Sequence, residues 1–249
     1  MEVVILTALG VGGATVIGAL IGFIFKGVTD RFSNSVLAFS AGIMLAAAIL
    51  GLILPSLDYG GDNALLITVI GIFSGAGLMK LLDLFVPHIH EPSAPLSDAR
   101  AKEKADKIML FILAIAIHNL PEGIAAGVGF GTGDTGNAIL IALGIALQNI
   151  PEGMVIISPM LSVGISKKKT LLLASATGFI EVVGTFIGYF SVAVASVILP
   201  FALSFAGGTM LYVISDDLIP EVHADGKAGF ATFAMIFGFC LMLVMSCVL

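Results

Sequence analysis

Eight long apolar runs, separated by short polar breaks, leave this 249-residue chain few ways to fold. They fall at about 3–25, 35–54, 64–86, 108–129, 137–161, 171–195, 201–219 and 229–249. Each is close to the roughly 20 residues that a helix needs to cross the ~30 Å hydrocarbon core of a bilayer. Within lipid every backbone N–H and C=O must be paired inside the segment, so runs of this kind fold as helices. Charge agrees: 11% of residues are charged, against about 25% in soluble domains. The expectation is an all-α polytopic membrane protein of about eight transmembrane helices, with residues 1–249 as one transmembrane domain. The narrowest junction, Ser196 to Pro200, lies between the sixth and seventh runs. A single helix through both would overshoot the membrane, and Pro200 marks the break.

The placement of charge orients the helices. All eleven Lys and Arg residues lie in, or lead into, the odd-numbered loops: Lys26 and Arg31, Lys80 through Lys107, Lys167 to Lys169, and Lys227. The even-numbered loops carry Asp58, Asp62 and Asp134. Positively charged loops stay cytoplasmic, so both termini are expected outside the cytoplasm, as in a prokaryotic inner (cell) membrane protein. Met1-Glu2 offers no basic segment ahead of the first apolar run, which suits an uncleaved first span. The longest loop, 87–107, is then cytoplasmic. Its stretch from Asp98 to Lys107 reads as a helix former that extends the fourth span. It is too short for a domain. The chain has no nucleotide-binding glycine loop or Walker lysine, which argues against ATP-driven pumping, and nothing in it points to nucleic acid. Membrane lipid is an expected partner, and the chain's glycine-rich faces would permit a homodimer.

The fourth run contains His118-Asn119-Leu120-Pro121-Glu122-Gly123, and the fifth contains Gln148-Asn149-Ile150-Pro151-Glu152-Gly153. Adjacent spans are antiparallel, so the two copies form an inverted repeat. Interrupted segments in corresponding places point to a transport site. Apolar helix on both sides places each copy near the membrane midplane, where an ionised side chain costs roughly 3 kcal/mol. His118 and Glu122 are spaced i,i+4, Asn119 and Glu122 i,i+3, and Gln148, Asn149 and Glu152 repeat the pattern, so each set shares a helix face. Pro121 and Pro151 each leave an upstream carbonyl without its N–H partner. Gly123 and Gly153 admit a neighbouring helix closely, as do Gly184 and Gly188 in the sixth run. Glu181 stands in the middle of that run. Three midplane glutamates with no basic residue at their depth call for a cation. Nitrogen and oxygen donors without thiolate select borderline or hard divalent ions, Zn2+ first, with Fe2+, Mn2+ and Cd2+ also suited. Cys240 and Cys247 lie apart from these donors in the last run, and the ten methionines are spread as packing residues.

The duplicated motif, the eight spans, the longer third loop and the external termini resemble the ZIP family of metal-ion transporters, nearest its GufA-type branch. That resemblance implies two adjacent metal sites. His118, Glu122, Gln148 and Glu152 would match the first. Asn119, Asn149 and Glu181 would match the second, with Glu122 and Glu152 bridging. Gln148 stands where many members have His, and Asn149 where some have an acidic residue. The resemblance also implies movement of metal toward the cytoplasm by an elevator-like rearrangement.

Two further groups are candidate secondary metal positions. His88, His90 and Glu91 open the cytoplasmic loop. Asp217, Glu221 and His223, beside Asp216, crowd one end of the seventh run and could relay an exiting ion or serve as interfacial polar residues. The chief alternative is a cation exchanger of another family, coupled to calcium or protons. The His and Gln that head the two motifs argue against calcium, which prefers oxygen ligands throughout. An intramembrane metalloenzyme ranks last because the chain has no HExxH. The chain is therefore expected not to be an enzyme and to carry no prosthetic group.

Overall fold

In the computed structural model, residues 1–24, 30–85, 115–162, 164–194, 196–223 and 228–248 are described. The loop candidates His88, His90 and Glu91 and the helix expected from Asp98 to Lys107 lie outside them. Among the described residues there is no strand. Helices α1 (Glu2–Ile24), α2 (Arg31–Tyr59), α3 (Ala64–Phe85), α4 (115–129), α5 (Thr135–Ser162), α6 (Lys167–Val194), α7 (Leu199–His223) and α8 (Ala228–Val248) follow the eight runs in order. Seven of these are long and apolar enough to cross a membrane, and α4 is described only from residue 115. The sixth and seventh spans part at a 3-10 turn, Ser196–Ile198, after which Leu199 and Pro200 open α7. Proline fits there because the first turn of a helix needs no N–H partner.

The protein is an integral membrane protein, and its outer surface fits that medium. Leu65, Leu66 and Phe73 of α3 and Phe233 and Phe237 of α8 are exposed, a surface that only an apolar surrounding tolerates. Two helices contain wide turns. Ala47–Ile53 in α2 and Ile214–Leu218 in α7 are π-helical. Such insertions shift the helix face and recur at functional sites.

The bundle divides into two bodies. Helix α1 packs along α5 and α6, and α4 lies against α6, where Gly184 and Gly188 meet the carbonyls of Leu120 and Ile124. In the other body α2 packs on α8 and α3 on α7. Within each body helices approach to backbone contact. Gly178 faces the Gly12 carbonyl in the first body, and Gly238 faces the Phe39 carbonyl in the second. Between the bodies contact is looser: Gly51 meets the Ile141 side chain, and Gly144 meets the side chains of Met242 and Ala47. The buried core runs through both bodies, with Ile43 and Met44 of α2, Ala125 and Ala126 of α4, Ile141 and Ile145 of α5, and Leu203 and Met210 of α7 in one cluster.

Candidate metal centre

Both motifs continue as unbroken α-helix through their prolines. Proline at 151 therefore removes one ladder bond without ending α5. The antiparallel register of α4 and α5 is set by a direct contact: Gln148 Nε2 donates to Glu122 Oε1 at 2.7 Å. The same register brings His118 level with Glu152, about one turn (~6 Å) nearer the end of the bundle that bears Lys167 to Lys169.

Glu122 and Gln148 are 1% and 0% exposed, and Asn119, Asn149 and Glu181 are equally buried. Glu152 is half-buried. It accepts a hydrogen bond from Ser40 Oγ of α2 at 3.3 Å, and the same hydroxyl also lies 3.1 Å from the Gln148 carbonyl. Glu181 Oε1 accepts from Thr15 Oγ1 at 2.9 Å and from Asn119 Nδ2 at 2.6 Å. Glu181 Oε2 accepts from Asn149 Nδ2, which also donates to the Val11 carbonyl at 3.2 Å. His118 Nε2 lies 3.3 Å from Asp217 Oδ2, and the two side chains are 13% and 38% exposed.

The motif glycines explain how these groups meet. A Cβ at Gly123 would lie 2.2 Å from the Glu181 carbonyl oxygen, and one at Gly153 would lie 2.1 Å from the Thr15 carbonyl oxygen. Only glycine lets the backbones touch at these points. Gly123 is thus seated against Glu181, whose carboxylate reaches both motif asparagines, and Gly153 against Thr15, whose hydroxyl reaches Glu181.

Hydrogen bonding leaves a consistent remainder. Asn119 Oδ1, Glu122 Oε2, Gln148 Oε1 and Asn149 Oδ1 are buried with no hydrogen-bond donor. A buried acceptor without a donor costs about 1–3 kcal/mol, and here four stand on the two motif turns. None of the described Lys or Arg side chains is buried. Chemically, such a cluster is suited to a cation that several oxygens share. Among the described residues no three His, Cys, Asp or Glu side chains gather at metal-holding distance, so the donor set mixes carboxylates with amide oxygens.

At the end bearing Asp58, Asp62 and Asp134 the two bodies are tied together: Asn137 Nδ2 donates to the Gly51 carbonyl at 3.2 Å, and Tyr59 Oη to the Thr132 carbonyl at 3.1 Å. At the basic end a small cleft is lined by Gly22 of α1, Phe32, Ser33 and Val36 of α2, and Met154 and Ser158 of α5.

All seven centre residues named from the sequence lie on the facing turns of α4, α5 and α6. The secondary trio disperses. Asp217 turns to His118, whereas the ring nitrogens of His223 face the Ile219 carbonyl at 2.8 Å and Thr232 Oγ1 at 3.4 Å, and Glu221 is exposed. Asp216 accepts from Tyr212 Oη at 2.9 Å. Two polar residues at the centre, Thr15 and Ser40, are not in the sequence-derived set. Their one signal is that each is a hydroxyl within an apolar span.

The chain's sequence is similar to known proteins over nearly its full length. A family model described as ZIP Zinc transporter matches residues 87–246. Zinc transporter ZIPB of Bordetella bronchiseptica is 35% identical over 242 residues, covering 92% of this chain and 76% of that protein. Zinc transporter GufA of Myxococcus xanthus is 32% identical, with 94% of each chain covered. Zinc transporter ZupT of Chlorobaculum parvum is 33% identical, covering 94% of this chain and 92% of that one.

Proposed function

The chain belongs to the ZIP zinc transporter family, and from that premise we propose that it carries zinc across the inner membrane toward the cytoplasm through the centre between α4 and α5. Divalent metal transport follows from membership, and so does the absence of an enzymatic role. Membership also removes the reading as an exchanger of another family.

One observation carries the assignment of the centre: four buried oxygens on the two motif turns lack donors, and among the described residues no basic side chain is buried. In this reading Glu122, Glu152, Gln148 and His118 take the ion together with the amide oxygens of Asn119 and Asn149, and Glu181 completes the surroundings. Two carboxylates supply charge. Neutral imidazole and amide oxygen add weaker bonds, which lets the ion leave again. Zinc accepts such nitrogen and oxygen donors, and Cd2+, Fe2+ and Mn2+ tolerate them as well.

Direction rests on the charge pattern. In this reading the basic loops mark the Lys167 end as cytoplasmic and both termini as external. The two bodies are tied together at the opposite, acidic end. Release to the outside-facing state would require the two bodies to slide or tilt, with α1, α4, α5 and α6 moving as a unit against α2, α3, α7 and α8. Tight backbone packing within each body and side-chain contact between them support that division.

Purified protein in liposomes, tested with a panel of divalent ions, provides the test. Zn2+ and Cd2+ are expected to enter, and Glu122→Ala and Glu152→Ala to abolish entry. Normal transport by both variants would remove the midplane centre from the pathway.

A further inference from the structure

Glu181 differs from the other two midplane glutamates in how its carboxylate is used. Glu122 keeps one oxygen without a donor, and Glu152 receives one hydroxyl. Glu181 receives three donors from three helices: Thr15 of α1, Asn119 of α4 and Asn149 of α5. Both of its oxygens are engaged. We propose that Glu181 is a positioning residue rather than a cation ligand, and that the centre it serves holds one divalent cation. The proposal rests on the metal-centre reading above.

The argument turns on which end of each amide faces the carboxylate. A cation shared by Glu181 and an asparagine needs the amide oxygen on the same side as the carboxylate oxygens. Here the amide nitrogens occupy that side. Asn119 and Asn149 each point an N–H at Glu181, and an N–H repels a cation placed between them. Turning Asn149 over would also break its bond to the Val11 carbonyl. The three donors satisfy both carboxylate oxygens of Glu181 without help from a metal.

The same bonds fix the other end of each amide. An amide group is planar, with its oxygen on the opposite branch from its nitrogen. With the nitrogens held by Glu181, Asn119 Oδ1 and Asn149 Oδ1 are turned away from it, and both are left buried without a donor. They join Glu122 Oε2 and Gln148 Oε1 as free acceptors on the same two turns. Glu181 therefore aims two ligand oxygens while staying out of the coordination shell, as outer-shell partners do at metal sites generally. Thr15 is part of this device. Its hydroxyl bonds Glu181, and its backbone seats Gly153.

Cadmium binding to the full-length protein in detergent tests this. Bound Cd2+ is counted by equilibrium dialysis and elemental analysis, relative to a Glu122→Ala/Glu152→Ala double variant that lacks the centre. The wild type is expected to hold one Cd2+ above that background. Thr15→Val and Glu181→Gln are expected to keep that one ion with about tenfold weaker affinity, and Thr15→Ser, which retains the donor, to restore it. Asn149→Asp sets a second carboxylate against Glu181 and is expected to raise the count to two. Thermal unfolding of each variant separates weak binding from misfolding. Two ions in the wild type that fall to one in Glu181→Gln would overturn the proposal. So would unchanged affinity in a folded Thr15→Val, or a single ion in a folded Asn149→Asp. If the double variant binds as much Cd2+ as the wild type, the metal-centre reading itself fails, whatever Glu181 does.

Discussion

His118 Nε2 lies 3.3 Å from Asp217 Oδ2 and so joins α4 of one body to the π turn of α7 in the other. The same nitrogen cannot serve both Asp217 and a metal ion. Binding an ion through it therefore costs this contact, and losing the ion restores it. At such partly exposed positions the contact is worth at most about 1 kcal/mol. Asp217→Asn is expected to lower the KM for zinc uptake two- to fivefold, because a weaker competitor holds His118, with protein abundance unchanged. A raised KM would show that Asp217 instead helps orient the imidazole toward the ion.

Gln148 is a neutral member of the centre. Its amide N–H covers one oxygen of Glu122, and its own oxygen has no donor. Replacing it with alanine removes a weak ligand and leaves Glu122 without that bond, a loss of about 1.5–3 kcal/mol for a bond to a charged group. Gln148→Ala is expected to raise KM for zinc at least tenfold in liposome uptake. Gln148→His supplies imidazole, which binds zinc more tightly than an amide oxygen does. It is expected to lower KM and slow maximal uptake, since release becomes harder.

The two motif glycines make a sharper structural prediction. An alanine Cβ at Gly123 or Gly153 would stand little more than 2 Å from a backbone oxygen of the neighbouring helix. Backbone cannot give way as a side-chain tip can, so the helices must part. Overpacking of this kind costs about 1–3 kcal/mol. Gly123→Ala and Gly153→Ala should lower the Tm in detergent by about 5 °C, while Gly13→Ala, where nothing lies within 4 Å, should leave it unchanged. Equal melting of all three would contradict the close approach.

These tests also show which parts of the centre were legible in the sequence. The helical period alone places His118, Asn119 and Glu122 on one turn and Gln148, Asn149 and Glu152 on another, and antiparallel neighbours then face each other. Thr15 and Ser40 could not be read in that way. A hydroxyl in an apolar helix usually bonds its own preceding turn, as Thr185 does to the Glu181 carbonyl and Ser175 to that of Leu171. Nothing local separates those two from the pair that reaches across to another helix. The seventh span fails for another reason. Reading Asp217, Glu221 and His223 as one cluster assumes a regular 3.6-residue turn, and the π segment Ile214–Leu218 changes the phase there.

The division into two bodies yields the last prediction. At the acidic end a Cβ at Gly51 would lie 3.9 Å from the Cβ of Ile141 in the other body. Disulfides need a Cβ separation of about 3.5–4.5 Å, so Gly51→Cys/Ile141→Cys should form one across the seam. Within one body, a Cβ at Gly129 would lie 3.9 Å from that of Ala138, so Gly129→Cys/Ala138→Cys makes a matched control on the α4–α5 hairpin. Both pairs belong in a background where the native Cys240 and Cys247 are serine. If the bodies move relative to each other, oxidation should abolish zinc uptake by the first pair, and a thiol reductant should restore it. The second pair should transport in either redox state. Uptake that persists with the Gly51–Ile141 bridge closed, as judged by quantitative thiol labelling, would mean that the acidic-end seam opens in some other way, and the rigid-body account would have to be abandoned.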